Sequence, residues 1–139
     1  PPDGIAALKE SSTEILRDME RMTVLVCTKN GNVIGTARYR ILESGDAKIA
    51  YISRVCVLPE EQRTGAGSQL LLEIERQCRA KKVDMLALHT PAKMEKLVRF
   101  YYRNGYYING TKSDRGYARG LFLKELTDKQ CSLSPLDEL

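Results

Sequence analysis

The stretch Val55-Cys-Val-Leu-Pro-Glu-Glu-Gln-Arg-Thr-Gly-Ala-Gly-Ser68 sets a glycine-rich turn between an extended run and a long amphipathic segment. The run before it, Lys48 to Leu58, is rich in β-branched and aromatic residues, reads as a strand, and is ended by Pro59. After Gly65-Ala-Gly67, the residues Leu70, Leu71, Ile74 and Cys78 fall on one helical face while Glu73, Arg76, Gln77 and Arg79 fall on the other. This predicts a helix of about four to five turns. The first turn of such a helix carries backbone N–H groups with no intrahelical partner, and the helix dipole adds positive potential there, so the turn suits an anion. Gly65 and Gly67 have no side chain to hold a phosphate off the backbone, and Arg63 adds a charge. The competing reading is that the glycines serve only close packing of helix on sheet. A Walker A loop is excluded because no G-K-[ST] follows. A Rossmann turn lacks support because the third glycine is missing and no βαβ unit has begun.

Upstream, Met22 to Thr28 is β-rich, Asn30-Gly31 is a two-residue hairpin signal, and Val33 to Ile41 supplies the partner strand. A turn around Glu43 to Asp46 leads into the third strand. Before residue 20, Leu8, Ile15, Leu16 and Met19 repeat at helical spacing, and Ser11 with Glu14 has capping-box spacing, which places a helix from about Ser12. Downstream, Val83 to Leu88 is a short apolar strand, so strand, helix and strand in succession imply a parallel crossover. Thr90-Pro91 is predicted to cap a second helix that carries Met94, Leu97, Val98 and Tyr101 and stops at Asn104-Gly105. Tyr106 to Thr111 and Tyr117 to Leu126 read as two more strands. Residues 1–126 are thus expected to form one domain with a mixed α/β sheet, and 127–139 a mobile polar tail.

The composition agrees with a globular domain: 139 residues, 42% apolar and 29% charged, with 22 basic against 18 acidic residues. No run reaches the roughly 18 apolar residues of a membrane span. The surplus of four positive charges permits an anionic ligand and carries no nucleic-acid motif. Cys27, Cys56, Cys78 and Cys131 lack C-x-x-C spacing, and His89 is the lone histidine, so no metal site is expected and a reducing, cytoplasmic setting fits.

Gln62-Arg-Thr-Gly65-Ala-Gly67 matches the [RQ]-x-x-G-x-[GA] signature of the GCN5-related N-acetyltransferases, and it follows a V-x-V-x-P strand as it does in that family. Phe100-Tyr101-Tyr102-Arg103-Asn104-Gly105-Tyr106 resembles the family's F-Y-x-x-x-G-[FY] segment, and Gly35 to Arg40 with Ile52 to Val57 resembles a branch of small bacterial-type members. The resemblance covers about residues 11 to 126. It implies the GNAT fold, a mixed and mostly antiparallel sheet with flanking helices and one parallel splay that holds acyl-CoA. The residues before Ser11 are too few for the family's first strand and helix, so a domain short at that end is expected.

The resemblance further implies that Gln62, Arg63, Thr64, Gly65, Ala66, Gly67 and Ser68 bind the pyrophosphate of acetyl-CoA. In the family the backbone of the strand at Val55, Cys56 and Val57 pairs with the pantetheine amides and polarises the thioester. Tyr101 matches the family's general acid, with Tyr102 as the backup. A phenol near pKa 10 can protonate a departing thiolate and stays protonated at neutral pH. The rival reading of Tyr101 is a core aromatic on the apolar helix face. The expected reaction is direct transfer of acetyl from acetyl-CoA to a primary amine of a small molecule or peptide, in a ternary complex, with no metal. Partners are then acetyl-CoA and the amine, with no nucleic acid and no membrane; dimerisation through the last strands is common in the family, which allows a homodimer.

Two positions depart from the family pattern. Ser53 stands where this branch commonly has glutamate, which leaves the general base unassigned, and Met94 stands where many members have a cofactor-binding asparagine. These departures support the alternative, a catalytically weak acyl-CoA-binding or sensor module. Arg38, Arg40 and Arg54 read either as a carboxylate or phosphate clamp or as a solvated face. His89 reads as a structural histidine or a proton relay, and Cys56 as a packed side chain.

Overall fold

The structure, a computed structural model, describes residues 22–139. The helix expected from Ser12 lies outside the described residues. Six strands form one sheet: β1 (Thr23–Lys29), β2 (Asn32–Ser44), β3 (Ala47–Val57), β4 (Met85–Pro91), β5 (Tyr107–Lys112) and β6 (Arg119–Glu125), in the order β1-β2-β3-β4-β6-β5. The β3–β4 pair is parallel, whereas β1–β2, β4–β6 and β5–β6 are antiparallel. Among the described residues two α-helices accompany them, α1 (Ala66–Ala80) and α2 (Glu95–Arg103). The chain packs as two compact units, the first from residues 22–41 and Ile52–Cys78, the second from Leu42–Tyr51 and Arg79–Leu139. Among the described residues no helix is long and apolar enough to cross a membrane.

In the first unit, Asn30 and Gly31 both have positive φ, 53° and 82°, the geometry of a type I′ turn whose twist matches that of the flanking strands. The β1–β2 register runs from Thr23↔Tyr39 to Lys29↔Asn32 with an irregularity at Cys27/Thr28. Helix α1 buries Leu70, Leu71, Ile74 and Cys78, about 1.5 to 3 kcal/mol for each large side chain. A methyl group on Gly35 would lie 3.1 Å from the Cys56 carbonyl oxygen and 3.2 Å from Leu70 Cδ1, so glycine is what lets Leu70 settle onto the strand. Tyr39 is fully buried, and its hydroxyl donates to Gln77 Oε1 at 2.7 Å, which satisfies the one polar atom that burial would otherwise strand.

In the second unit, β4 is longer than expected. His89, Thr90 and Pro91 pair with Leu121, Gly120 and Arg119 of β6, so Thr90-Pro91 closes a strand and does not cap a helix. Pro91 costs the ladder no donor because it sits at the strand's last position. Helix α2 begins only at Glu95, after a turn in which the Met94 N–H donates to the Pro91 carbonyl. The segment after β6 also differs from the mobile tail expected. Leu136 is 3% exposed and belongs to a core cluster with Ile49, Met85, Ala87 and Leu123, with Cys131, Leu133 and Leu139 packed around it. Polar bonds pin the same segment: Thr127 Oγ1 donates to Asp84 Oδ1 at 2.8 Å, and Ser44 Oγ donates to the Ser132 carbonyl at 2.7 Å. Apolar residues at 131, 133, 136 and 139 give a polar-looking tail enough surface to dock.

Candidate active site

The first unit carries the glycine-rich turn. A short 3-10 turn at Pro59–Glu61 leaves β3, and the loop then braces itself. Thr64 Oγ1 donates to the Glu61 carbonyl at 2.7 Å, and Gln62 Nε2 donates to the Val57 carbonyl at 3.1 Å. Gly65 has φ +88° and open space around its missing Cβ, so glycine is required here by backbone handedness and not by crowding. The next N–H to find a helical partner is that of Gln69, which donates to the Gly65 carbonyl at 3.0 Å. The N–H groups of Ala66, Gly67 and Ser68 therefore precede the first helical bond, as the orphan donors of a helix start do. Glu61 lies in the same loop, but Lys29 Nζ sits 3.2 Å from its carboxylate and offsets its charge.

Of the residues expected to bind the cofactor, Gln62, Arg63, Thr64 and Gly65 are exposed, Ser68 is half-buried, and Ala66 and Gly67 are buried. The side chains of Gln62 and Thr64 are engaged with the loop's own carbonyls, which leaves the backbone, Arg63 and the Ser68 hydroxyl as the groups of this turn that can meet an anion. Val55 and Val57 are half-buried and Cys56 is buried. The pairs between β3 and β4 are Ile49↔Met85, Ala50↔Leu86 and Tyr51↔Ala87, while β3 itself runs on to Val57. Within that outer part Arg54 has φ +54°, a left-handed conformation for a non-glycine residue inside a strand. It reverses the local pleat immediately before Val55 and re-aims the backbone, as a bulge does. Nothing in the residue types at Ser53-Arg54 announces it. Arg38 is buried, Arg40 half-buried and Arg54 exposed.

In the second unit Tyr101 is 5% exposed, with ring centroids 5.1 Å from Phe100, 5.8 Å from Tyr106 and 6.0 Å from Phe122. Tyr102, by contrast, is 49% exposed. The spacing of the segment has a local physical cause. The Tyr106 N–H donates to the Tyr101 carbonyl, the Gly105 N–H donates to the Tyr102 carbonyl, and Gly105 has φ +92°. This is a Schellman stop, and the Tyr101–Tyr106 ring contact is the apolar contact that accompanies it. Asn104 Nδ2 adds a bond to the Phe100 carbonyl at 2.8 Å. Tyr101 is thus held in one rotamer by its own helix end. Met94, at the start of α2, is 49% exposed.

His89 lies in β4, half-buried, with its Nδ1 2.7 Å from the Tyr51 hydroxyl. Burial pushes the imidazole down to about 4, and the Arg119, Lys112 and Arg115 cations push the same way while Asp114 opposes them. The ring is neutral at physiological pH and carries one N–H, and its Nδ1 shares a hydrogen bond with the Tyr51 hydroxyl in which either group can donate. A base this weak does not take a proton from an ammonium. Among the described residues no group of three or more His, Cys, Asp or Glu side chains is placed to hold a metal ion.

Comparison with known proteins bears directly on this arrangement. Residues 2–106 match the Acetyltransferase (GNAT) family. An uncharacterized N-acetyltransferase of Mycobacterium tuberculosis (strain ATCC 25618 / H37Rv) is 26% identical over 119 residues, which cover 82% of this chain and 74% of that protein. Among solved structures, a GNAT family acetyltransferase from Elizabethkingia anophelis with acetyl-CoA bound superposes with a TM-score of 0.69 at 18% identity, over 84% of each chain. The PaiA N-acetyltransferase from Thermoplasma acidophilum in complex with coenzyme A does so at 0.69 and 23% identity, over 81% of this chain and 67% of that one. At these identities the structural likeness speaks for the fold, and the match over residues 2–106 for the family. The chain therefore belongs to the GNAT family, the acetyl-CoA-dependent N-acetyltransferases.

Proposed function

We propose that the protein transfers the acetyl group of acetyl-CoA directly to a primary amine of a small molecule or peptide within a ternary complex. The observation that carries this is the start of α1, where a left-handed Gly65 turns the chain and the N–H groups of Ala66, Gly67 and Ser68 precede the first helical bond, with no backbone acceptor among the described residues. The pyrophosphate of the cofactor is assigned to those groups and to Arg63, and the pantetheine amides to the backbone of Val55, Cys56 and Val57 beyond the reversal at Arg54. The amine nitrogen attacks the thioester carbonyl, the C–S bond breaks, and the departing thiolate takes a proton from a general acid, the role that the F-Y-x-x-x-G-[FY] resemblance gives to Tyr101. The proton lost by the amine is assigned to no side chain. Ser53 is not a base and His89 is too weak a one.

A second reading, an acyl-CoA-binding module with little turnover, draws support from Ser53 and from the exposed Met94 at the start of α2. Incubation with acetyl-CoA and a panel of amines, polyamines, aminosugars and peptide N-termini separates the two. Thiol release together with an acetyl mass shift on one amine class is the expected result. Thermal stabilisation by coenzyme A without thiol release across the panel would favour the binding module.

A further inference from the structure

The second unit holds a cavity of about 240 Å³ between β4, β5, β6 and the docked C-terminal segment. It is too small for a nucleotide. Its polar lining includes His89, Lys112 and Arg119, and its apolar lining is Leu121, Leu133 and Leu136. Arg119 is 4% exposed. Its Nη2 donates to the Leu139 carbonyl at 2.8 Å and to Asp114 Oδ1 at 3.2 Å. Its Nε, also buried, has no acceptor among the described residues. A buried guanidinium donor left unmet is costly unless a bound group takes it.

The charges around the cavity favour a single negative charge. Arg119, Lys112 and Arg115 face His89 electrostatically against Asp114, and Asp137 is the carboxylate residue of the lining itself. Asp114 lies 3.7 Å from Lys112 and 3.2 Å from Arg119, so it cancels part of their charge. Lys112 Nζ also donates to the Asp137 main-chain carbonyl at 2.7 Å, which fixes it beside the cavity. At His89 the three cations act against the one carboxylate and, after burial, help to keep a proton off the ring. Tyr51 occupies His89 Nδ1, so Nε2 is the ring atom left to meet a ligand, and in the Nε2–H tautomer it is a neutral donor.

We propose that this cavity is a binding site for a small aliphatic carboxylate, held by Arg119 Nε, Lys112 and His89 with its hydrocarbon part against Leu121, Leu133 and Leu136. A monoanion fits better than a phosphate dianion because Asp114 and Asp137 already offset part of the positive charge. The carboxylate has two chemical sources: an acceptor amine that also carries a carboxylate, or a ligand that does not react. The proposal stands whether or not the transferase reading does.

Butyrate, butylamine and γ-aminobutyrate titrated into the full chain test it, with the side-chain N–H signal of Arg119 Nε and the His89 ring signals followed by NMR. Butyrate is expected to shift both saturably and to move the His89 titration upward in pH, while butylamine leaves them in place. Lys112→Met should weaken butyrate by about five- to tenfold, the loss of one charge-assisted bond, and Arg119→Gln should abolish the effect. Should Arg119→Gln fail to fold, Leu121→Phe, which fills the apolar end, serves as the second variant and is expected to abolish butyrate binding. Absence of any saturable shift with butyrate, equal shifts with butylamine, or butyrate binding that survives both Lys112→Met and Leu121→Phe would overturn the site. With acetyl-CoA present, consumption of bound γ-aminobutyrate marks the carboxylate as part of the acceptor. Binding without consumption marks it as a non-reacting ligand; either outcome supports the site, and failure of transfer alone leaves the binding result intact.

Discussion

The Tyr51 hydroxyl and the His89 Nδ1 lie 2.7 Å apart across the parallel β3–β4 pair, in half-buried surroundings that disfavour charge on the imidazole. Protonating His89 makes Nδ1 a donor to the tyrosine oxygen and puts charge on a ring that burial, and then the Arg119, Lys112 and Arg115 cations, keep neutral. The folded ring titrates at about 4 against an ordinary 6.5. With the folded value depressed, the unfolded chain binds more protons between these limits, so stability is present above about 6.5 and is lost as pH falls towards about 4. The half-exposed ring is screened by water, and the loss expected is about 1 to 2 kcal/mol. Urea unfolding of the wild type and His89→Gln across this window measures it, and the variant should show the flatter profile.

Tyr101→Phe keeps the ring that packs on Tyr106 and Phe122 and removes only the hydroxyl. Turnover should fall by about 10²-fold or more if that hydroxyl protonates the thiolate. Acetyl-CoA affinity should hardly change. Unaltered turnover, measured by thiol release, would remove Tyr101 as the acid.

Gly65 and Gly35 are glycine for different reasons, and substitution separates them. Gly65→Ala meets open space but must hold φ +88°, at a cost of about 1 to 2 kcal/mol. Gly65→Asn tolerates that backbone and should recover much of the loss. Coenzyme A affinity, read by calorimetry, should follow the same order. Gly35→Ala has no such backbone demand but crowds the Cys56 carbonyl and Leu70, and is expected to destabilise by about 1 to 3 kcal/mol.

Leu136→Ala tests whether the final segment is part of the fold. A buried leucine in a packed cluster costs about 2 to 5 kcal/mol on truncation, and a frayed tail would cost nothing. Asp84→Ala reads the same attachment from the polar side. Its carboxylate accepts from the Lys48 N–H at 2.9 Å and from Thr127 Oγ1 at 2.8 Å, and the Lys48 N–H above all holds it below the usual carboxylate range. Loss of about 2 kcal/mol is expected, seen in urea midpoints and in faster proteolysis after Lys129.

What the sequence determined by itself was whatever depends on near neighbours along the chain. Asn30-Gly31 specifies its turn because those residues tolerate left-handed backbone, α1 follows from the spacing of Leu70, Leu71, Ile74 and Cys78, and Gly105 stops α2 wherever it is placed. The glycine turn before Ser68 and the tyrosine four residues before Gly105 were legible for the same reason. Only the tertiary structure decided that Thr90-Pro91 would finish a strand, since local cap chemistry lost to the ladder bonds offered by β6. It also decided that Arg54 would turn left-handed inside β3, that Leu136 would be core, and that His89, Lys112 and Arg119 would share one cavity. Each of these depends on partners from other strands or the chain's far end, and local spacing carries no record of a pairing that is made only when the sheet closes.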